Sequence, residues 1–170
     1  MNQFTKRFVT IVVLLSLLGI GMSTYLLEHH HAEAGSVCDI NATVSCSLVN
    51  TSSYAELLNV PVAALGILWF IFLIIGTLKT NKDKDLFPLL QLWVTIGLIF
   101  IIYLIIGEIL LRAICPFCTV VHVITLIIFI MFTKKWNKEQ KLSIALKKSR
   151  RWIIAVILLH LLLLLIYNLI

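Results

Sequence analysis

The chain has 170 residues, 61% apolar and 13% charged, with a mean hydropathy of +1.05. Soluble domains hold roughly half apolar and a quarter charged residues, so these values exclude a soluble globular protein and describe an integral membrane protein with little extramembrane mass. The formal net charge of +6 does not mark a nucleic-acid binder, because the basic residues prove to be sorted by membrane side.

Five apolar runs are long enough to cross roughly 30 Å of hydrocarbon as helices. They cover about Phe8–Leu27, Pro61–Leu78, Phe87–Ile106, Ile114–Thr133 and Trp152–Ile170. The expected fold is an all-α membrane protein of five transmembrane helices. Residues 1–133 form the main unit, with an outer loop over 28–60, and 134–170 add a basic loop and the fifth span. The first run invites a signal-peptide reading, since Lys6 and Arg7 precede it and Ala32-Glu33-Ala34 resembles a cleavage site. A retained helix fits better. The run is longer than a signal h-region, and Glu28 and three histidines separate it from that site.

Orientation follows from lysine and arginine. Lys6 and Arg7, then Lys79, Lys82 and Lys84, then Lys134, Lys135, Lys138, Lys141, Lys147, Lys148, Arg150 and Arg151 fall on one side, the cytoplasmic one. The other side holds Arg112 with Glu28, Glu33, Asp39, Glu56 and Glu108. The N-terminus is therefore expected inside and the C-terminus outside. Trp136 and Trp152 flank the basic loop as interfacial anchors, and that loop can touch anionic lipid. In the outer loop, Ser53 and Glu56 have capping-box spacing. Tyr54, Leu57 and Leu58 then share a face, which predicts a short surface helix covering the spans. Pro61 opens the second span where proline is tolerated.

The chain has four cysteines, Cys38, Cys46, Cys115 and Cys118. All four fall on the outer, oxidising side, which favours disulfide chemistry. Cys115 and Cys118 have the i, i+3 spacing that shares a helix face. Pro116 suits a first helical turn, and a helix N-terminus favours a reactive thiolate at Cys115. Two thiols one turn apart, half in the membrane, make a poor structural staple. A zinc site would want two close pairs, whereas Cys38 and Cys46 are eight apart, so no metal is expected. A structural staple between Cys38 and Cys46 stays open as an alternative. No haem, dinucleotide or flavin motif is present, which leaves a lipid-soluble quinone as the natural electron acceptor.

Three stretches resemble the vitamin K epoxide reductase family. They are Cys38-Asp39-Ile40-Asn41-Ala42-Thr43-Val44-Ser45-Cys46-Ser47, the segment Ser52 to Gly66, and Cys115-Pro116-Phe117-Cys118-Thr119. The resemblance runs over roughly residues 8 to 133 and implies a four-helix bundle around a quinone, with the outer loop as a lid. It implies that Cys38 and Cys46 shuttle electrons from a separate extracytoplasmic thioredoxin-like partner, that Cys46 exchanges with Cys115, and that Cys118 delivers electrons to the quinone. That quinone would be a menaquinone, ubiquinone or vitamin K type drawn from the membrane pool. Ser52 matches a loop serine that helps hold the cysteine site. His122 stands where vertebrate members carry a tyrosine near the quinone, and Phe117 is a further cofactor-binding candidate. Asn59 replaces a frequent glycine and tolerates left-handed backbone.

The expected activity is quinone-dependent thiol oxidation supporting disulfide formation. The alternatives are reduction of vitamin K epoxide as the output, and a non-enzymatic scaffold stapled by disulfides. His29, His30 and His31 read as a solvated tract or an expression remnant, and His160 as a helix contact within the fifth span.

Overall fold

The computed structural model describes residues 4–30, 35–136, 146–147 and 150–169. Four long helices carry the fold: α1 (Lys6–His30), α3 (Val62–Lys82), α4 (Phe87–Leu111) and α5 (Pro116–Thr133). Each is long and apolar enough to cross a membrane, and a helix satisfies every backbone N–H and C=O where lipid cannot. The structure is that of a multi-pass membrane protein. The expected fifth span corresponds to α6 (Arg150–Leu169). Its apolar part, Ile153–Leu169, is shorter than the other four, near 25 Å at ~1.5 Å per residue. Neighbouring helices run in alternating directions, so one end of the bundle gathers the cysteines and the other gathers Lys6, Lys82 and Lys134.

At the end away from the cysteines the core is aromatic. Phe4, Phe8, Phe87 and Phe132 are buried together, with Phe4 stacked on Phe8 at 4.5 Å and Phe132 edge-on to Phe8 at 5.3 Å. The Phe4 N–H donates to Asn81 Oδ1 at 2.9 Å, fastening the start of the chain to the end of α3. Nearer mid-bundle, Trp69 and Trp93 clamp α3 to α4 reciprocally. Each indole N–H donates to the other's backbone carbonyl at 3.3 Å. Such pairing satisfies two polar groups where no water would. Gly97 makes room for this clamp, since a Cβ there would overlap the Trp69 indole.

The outer loop departs from the sequence expectation. No α-helix starts at Ser53. Residues Ser53–Ala55 form a single 3₁₀ turn, followed by a two-stranded hairpin of β1 (Glu56–Leu57) and β2 (Val60–Pro61). The capping box fails because the Glu56 carboxylate is taken by His30 Nε2 at 3.2 Å and Ser52, at the cap position, makes no side-chain cap bond. Leu58 and Asn59 supply the turn with φ of 53° and 62°, the two left-handed residues that a tight hairpin requires. Asparagine meets that requirement at Asn59; Leu58 meets it less easily, having neither a small nor a locally bonding side chain. The loop's short α-helix lies earlier, α2 (Cys46–Asn50), capped by Ser45, whose Oγ accepts the Leu48 N–H at 3.1 Å. Trp136 is exposed, while Lys138 and Lys141 of the basic loop and the Trp152 side chain lie outside the described residues.

Replacing Gly97 with leucine should force Trp69 out of its reciprocal clamp. We expect a loss of about 1–3 kcal/mol, the usual cost of overpacking, read as a lowered thermal midpoint of the detergent-solubilised protein. An unchanged midpoint would show that the indole can move freely.

Candidate active site

Two chain segments meet at the cysteine end. Residues Thr43–Ser45 run parallel to the chain just before α5. The Ile114 N–H donates to Thr43 O at 2.9 Å, and the Ser45 N–H donates to Ile114 O at 3.1 Å. One residue beyond each of these bonds stand Cys46 and Cys115. The register therefore brings Cys115 Sγ to 3.3 Å from Cys46 Sγ. Cys46 is bonded to Cys38 in a disulfide with Cα atoms 5.7 Å apart, and Cys115 and Cys118 are free thiols.

Cys115 is the N-cap of α5. Its backbone is extended, Pro116 takes the first turn, and the Cys118 N–H donates to Cys115 Sγ at 3.1 Å. The preceding turn is set by Arg112, a left-handed residue at φ 52° that ends α4. The Cys115 N–H donates to Glu108 Oε1 at 3.2 Å, which ties the α5 N-terminus back to the last turn of α4. Cys115 and Cys46 are almost wholly buried, at 0% and 1% exposure, in a small apolar cluster with Cys38, Leu26, Val49 and Ala113.

A polar scaffold surrounds this cluster on the loop side. The Asp39 carboxylate accepts the Ser36 N–H at 2.6 Å, the Ser45 hydroxyl at 2.8 Å, the Ser47 N–H at 2.9 Å and the Ser47 hydroxyl. These donors, the Ser47 hydroxyl foremost, hold the Asp39 carboxyl well below its ordinary value of 3.8. On the other flank, Asn50 is buried and its Nδ2 donates to Leu26 O at 2.6 Å. His30 Nδ1 meets Asn50 O at 2.6 Å while Nε2 meets the Glu56 carboxylate. The end of α1 is thus joined to α2 and to the hairpin.

Behind the thiols lies a cavity of about 450 Å³ bounded by every long helix and by the loop. Its lining is chiefly aliphatic and aromatic, with Ser52, Glu108, Cys118 and His122 among the polar side chains. Such a space, apolar with a few convergent polar groups, suits a small hydrophobic ring compound. Gly107 lets Tyr54 of the loop close the top, since a Cβ at 107 would stand 2.9 Å from the Tyr54 Cβ.

The family comparison agrees with this geometry. Residues 10–133 match the Vitamin K epoxide reductase family. The chain belongs to that family. Vitamin K epoxide reductases are oxidoreductases that couple disulfide chemistry to quinones, and the matched region covers the four long helices and the loop between the first two. No curated protein matches the chain.

The sequence-derived candidates distribute as follows. Cys38, Cys46 and Cys115 come together at the bundle end, and Cys118, His122 and Ser52 all line the cavity. Ser52 reaches the Val49 carbonyl at 2.7 Å and so ties the chain leaving α2 back to its last turn. Phe117 does not line the cavity. Its ring stands edge-on to Tyr25 at 4.8 Å, because the step of about 100° per residue turns it away from the face of Cys118. His29 and His30 do not form a solvated tract. The His29 ring packs on Tyr25 at 4.3 Å, His30 is the clamp described above, and His31 lies outside the described residues. Among the described residues no group of three or more His, Cys, Asp or Glu could hold a metal.

Sequence reasoning missed Glu108, placing the span end at Ile106 and counting the carboxylate as a loop residue. Its position within an apolar run was itself the available signal.

Asp39→Asn should release the loop around the Cys38–Cys46 disulfide. Since the folded carboxyl titrates below the unfolded one, its contribution is full above the ordinary carboxylate range and fades as pH falls through the folded value. A phosphine reductant followed by thiol trapping reads this. The variant should be reduced several-fold faster at neutral pH, while the wild type should approach that rate only in acid below the ordinary 3.8. Equal rates at neutral pH would show that Asp39 does not hold the loop.

Proposed function

We propose that this protein is a quinone-dependent thiol oxidase supporting disulfide formation outside the cytoplasm. The observation that carries the reading is the 3.3 Å approach of free Cys115 to the Cys38–Cys46 disulfide, with Cys118 opening onto an apolar cavity. The whole relay sits in residues 1–133, with 134–170 as an accessory basic loop and fifth crossing. The distribution of basic residues supports a cytoplasmic N-terminus and an extracytoplasmic cysteine end.

In this reading a thioredoxin-like partner docks on the loop. Val37 and Ile40 flank Cys38 and are 81% and 73% exposed, an apolar patch fit for a partner groove. A partner thiolate attacks Cys38 Sγ and Cys46 leaves as thiolate. The second partner thiol then attacks the mixed disulfide, and Cys38 leaves with its electrons. Cys46 next attacks a Cys115–Cys118 disulfide at Cys115, releasing Cys118. Attack of Cys38 on Cys46 restores the loop disulfide and frees Cys115. Each exchange breaks one S–S bond and makes one. The arrangement found here, with the loop pair oxidised and the bundle pair reduced, is the product of that transfer.

A quinone of the menaquinone, ubiquinone or vitamin K type supplies a two-electron sink at the cavity. Cys115 and Cys118 each lose a hydrogen equivalent and regain their disulfide. Cys118 faces the ring, and His122, buried in the cavity wall four residues further along α5, holds a ring oxygen or passes a proton. Ser52 holds the loop side of the same cavity.

Cys118→Ala should abolish partner oxidation in vesicles supplied with quinone and a reduced thioredoxin-like protein. A wild-type rate overturns the mechanism. Vitamin K epoxide as sole acceptor tests the alternative output in the same vesicles. A Cys38→Ala, Cys118→Ala double variant lacks both resolving thiols. Mild oxidation should lock its remaining pair as a Cys46–Cys115 disulfide, identifiable by peptide mass. Its failure to form would break the relay at its central step.

A further inference from the structure

The family match ends at residue 133, yet the cavity wall does not. Val156, Ile157, His160 and Leu161 of α6 line it together with α3, α4 and α5. Two further observations show that α6 is seated there. Asn168 Nδ2 donates to Leu58 O at 3.0 Å and Asn168 Oδ1 accepts from Asn59 Nδ2 at 3.2 Å, so the end of α6 grips the hairpin turn. Lower down, the His160 ring stacks on Phe72 at 5.7 Å and meets Trp93 edge-on at 6.1 Å. Trp93 belongs to the clamp between α3 and α4. A second cavity, of about 720 Å³, adjoins the first through Trp93, Ile96, Val156 and Ile157, so the same helix borders a longer apolar space suited to a quinone's tail.

His160 is the polar group α6 brings to this wall. Its Nδ1 lies 2.8 Å from the Val156 carbonyl. A carbonyl only accepts, so Nδ1 carries the proton. In the neutral ring Nε2 is then an acceptor with no donor of its own. Among the described residues Nε2 has no hydrogen-bond partner, which leaves it for a ligand. A quinone oxygen can only accept a hydrogen bond, whereas a quinol hydroxyl can donate one. An acceptor in the wall therefore distinguishes the two oxidation states of one ring.

We propose that α6 is the lateral wall of the quinone site and that His160 is a binding residue within it, accepting a hydrogen bond from the quinol hydroxyl and so favouring the reduced form. This rests on the quinone reading above. The balance is unchanged: two thiols become one disulfide, and the ring gains two electrons and two protons. His160 neither gains nor loses a proton in the net reaction. It weights the site toward product, and hence toward reduction.

The test uses the full-length protein in detergent with a short-tailed benzoquinone and its quinol as probes. Quenching of the cavity tryptophans Trp69 and Trp93 reads quinone binding without turnover, and product inhibition reads quinol binding. In His160→Leu the quinol should bind about three- to tenfold more weakly, the effect of one hydrogen bond, with quinone affinity within about twofold. His160→Gln, whose amide oxygen accepts, should restore most of the quinol affinity. Unchanged quinol affinity in the leucine variant overturns the proposal, as does an equal loss of both ligands. Should the leucine variant not fold, the glutamine variant decides: near-wild-type quinol binding supports the role, and parallel loss of both ligands overturns it. A wild-type protein that binds no quinone overturns the functional reading itself and this inference with it.

Discussion

The contact between Cys46 and Cys115 is the constraint on which the rest of the structure depends. Two sulfurs on different elements, 69 residues apart in the chain, are held 3.3 Å apart. Thiol–disulfide exchange needs that proximity and little else, since the chemistry is one sulfur displacing another. The protein secures it with backbone. The Thr43–Ser45 segment pairs with Ile114 through two hydrogen bonds, and the next residue on each side is the cysteine. Register in a backbone ladder is set to within a residue, so the sulfurs inherit a position that side-chain packing alone would fix less firmly.

Below that contact the problem changes from placement to exclusion of water. A cavity inside an apolar bundle would collapse unless something held the walls apart, and rigid aromatic groups do so. The Trp69–Trp93 clamp braces α3 against α4, with Gly97 giving the indole its space, and Tyr54 sits over Gly107 at the top. Glu108 links this region to the sulfurs, bonding the Cys115 amide while lining the cavity. A carboxyl group at that depth is costly unless it has partners, and the Cys115 N–H at the N-cap of α5 is one.

Much of this was legible in the sequence because membrane helices obey a short list of rules. Apolar run length located the four long helices to within a few residues, and the Cys115–Cys118 spacing located the start of α5. The loop was less legible. Ser53 and Glu56 have the right spacing for a capping box, but a spacing rule sees only local partners. His30, 26 residues away, won Glu56. The same limit hid the Asp39 hub, whose donors are assembled by the fold of the loop. Phe117 shows a different limit: it stands next to Cys118 in sequence, yet on a helix the neighbouring residue faces another way, and its ring meets Tyr25.

In the proposed relay the loop has two neighbours with opposite needs. Its disulfide must stay fixed against Cys115 yet be reachable by a thiol partner, and in this state Cys38 is only 6% exposed. The two kinds of support resolve the conflict. The Cys46 side rests on apolar packing with Val49, Leu26 and Ala113, which water cannot replace. Cys38 belongs to the same cluster but also carries polar contacts: Ser36 Oγ to Cys38 Sγ at 3.2 Å, Tyr25 to Ser36 at 2.9 Å, and the Asp39 bond to the Ser36 N–H. Water can substitute for these, so each neutral bond contributes only about 0.5–1.5 kcal/mol net and the bond to the Asp39 carboxylate about 1.5–3 kcal/mol. The bonds around Ser36 and Asp39 are therefore the part of the support that water can take over, while the apolar packing around Cys46 keeps its sulfur against Cys115.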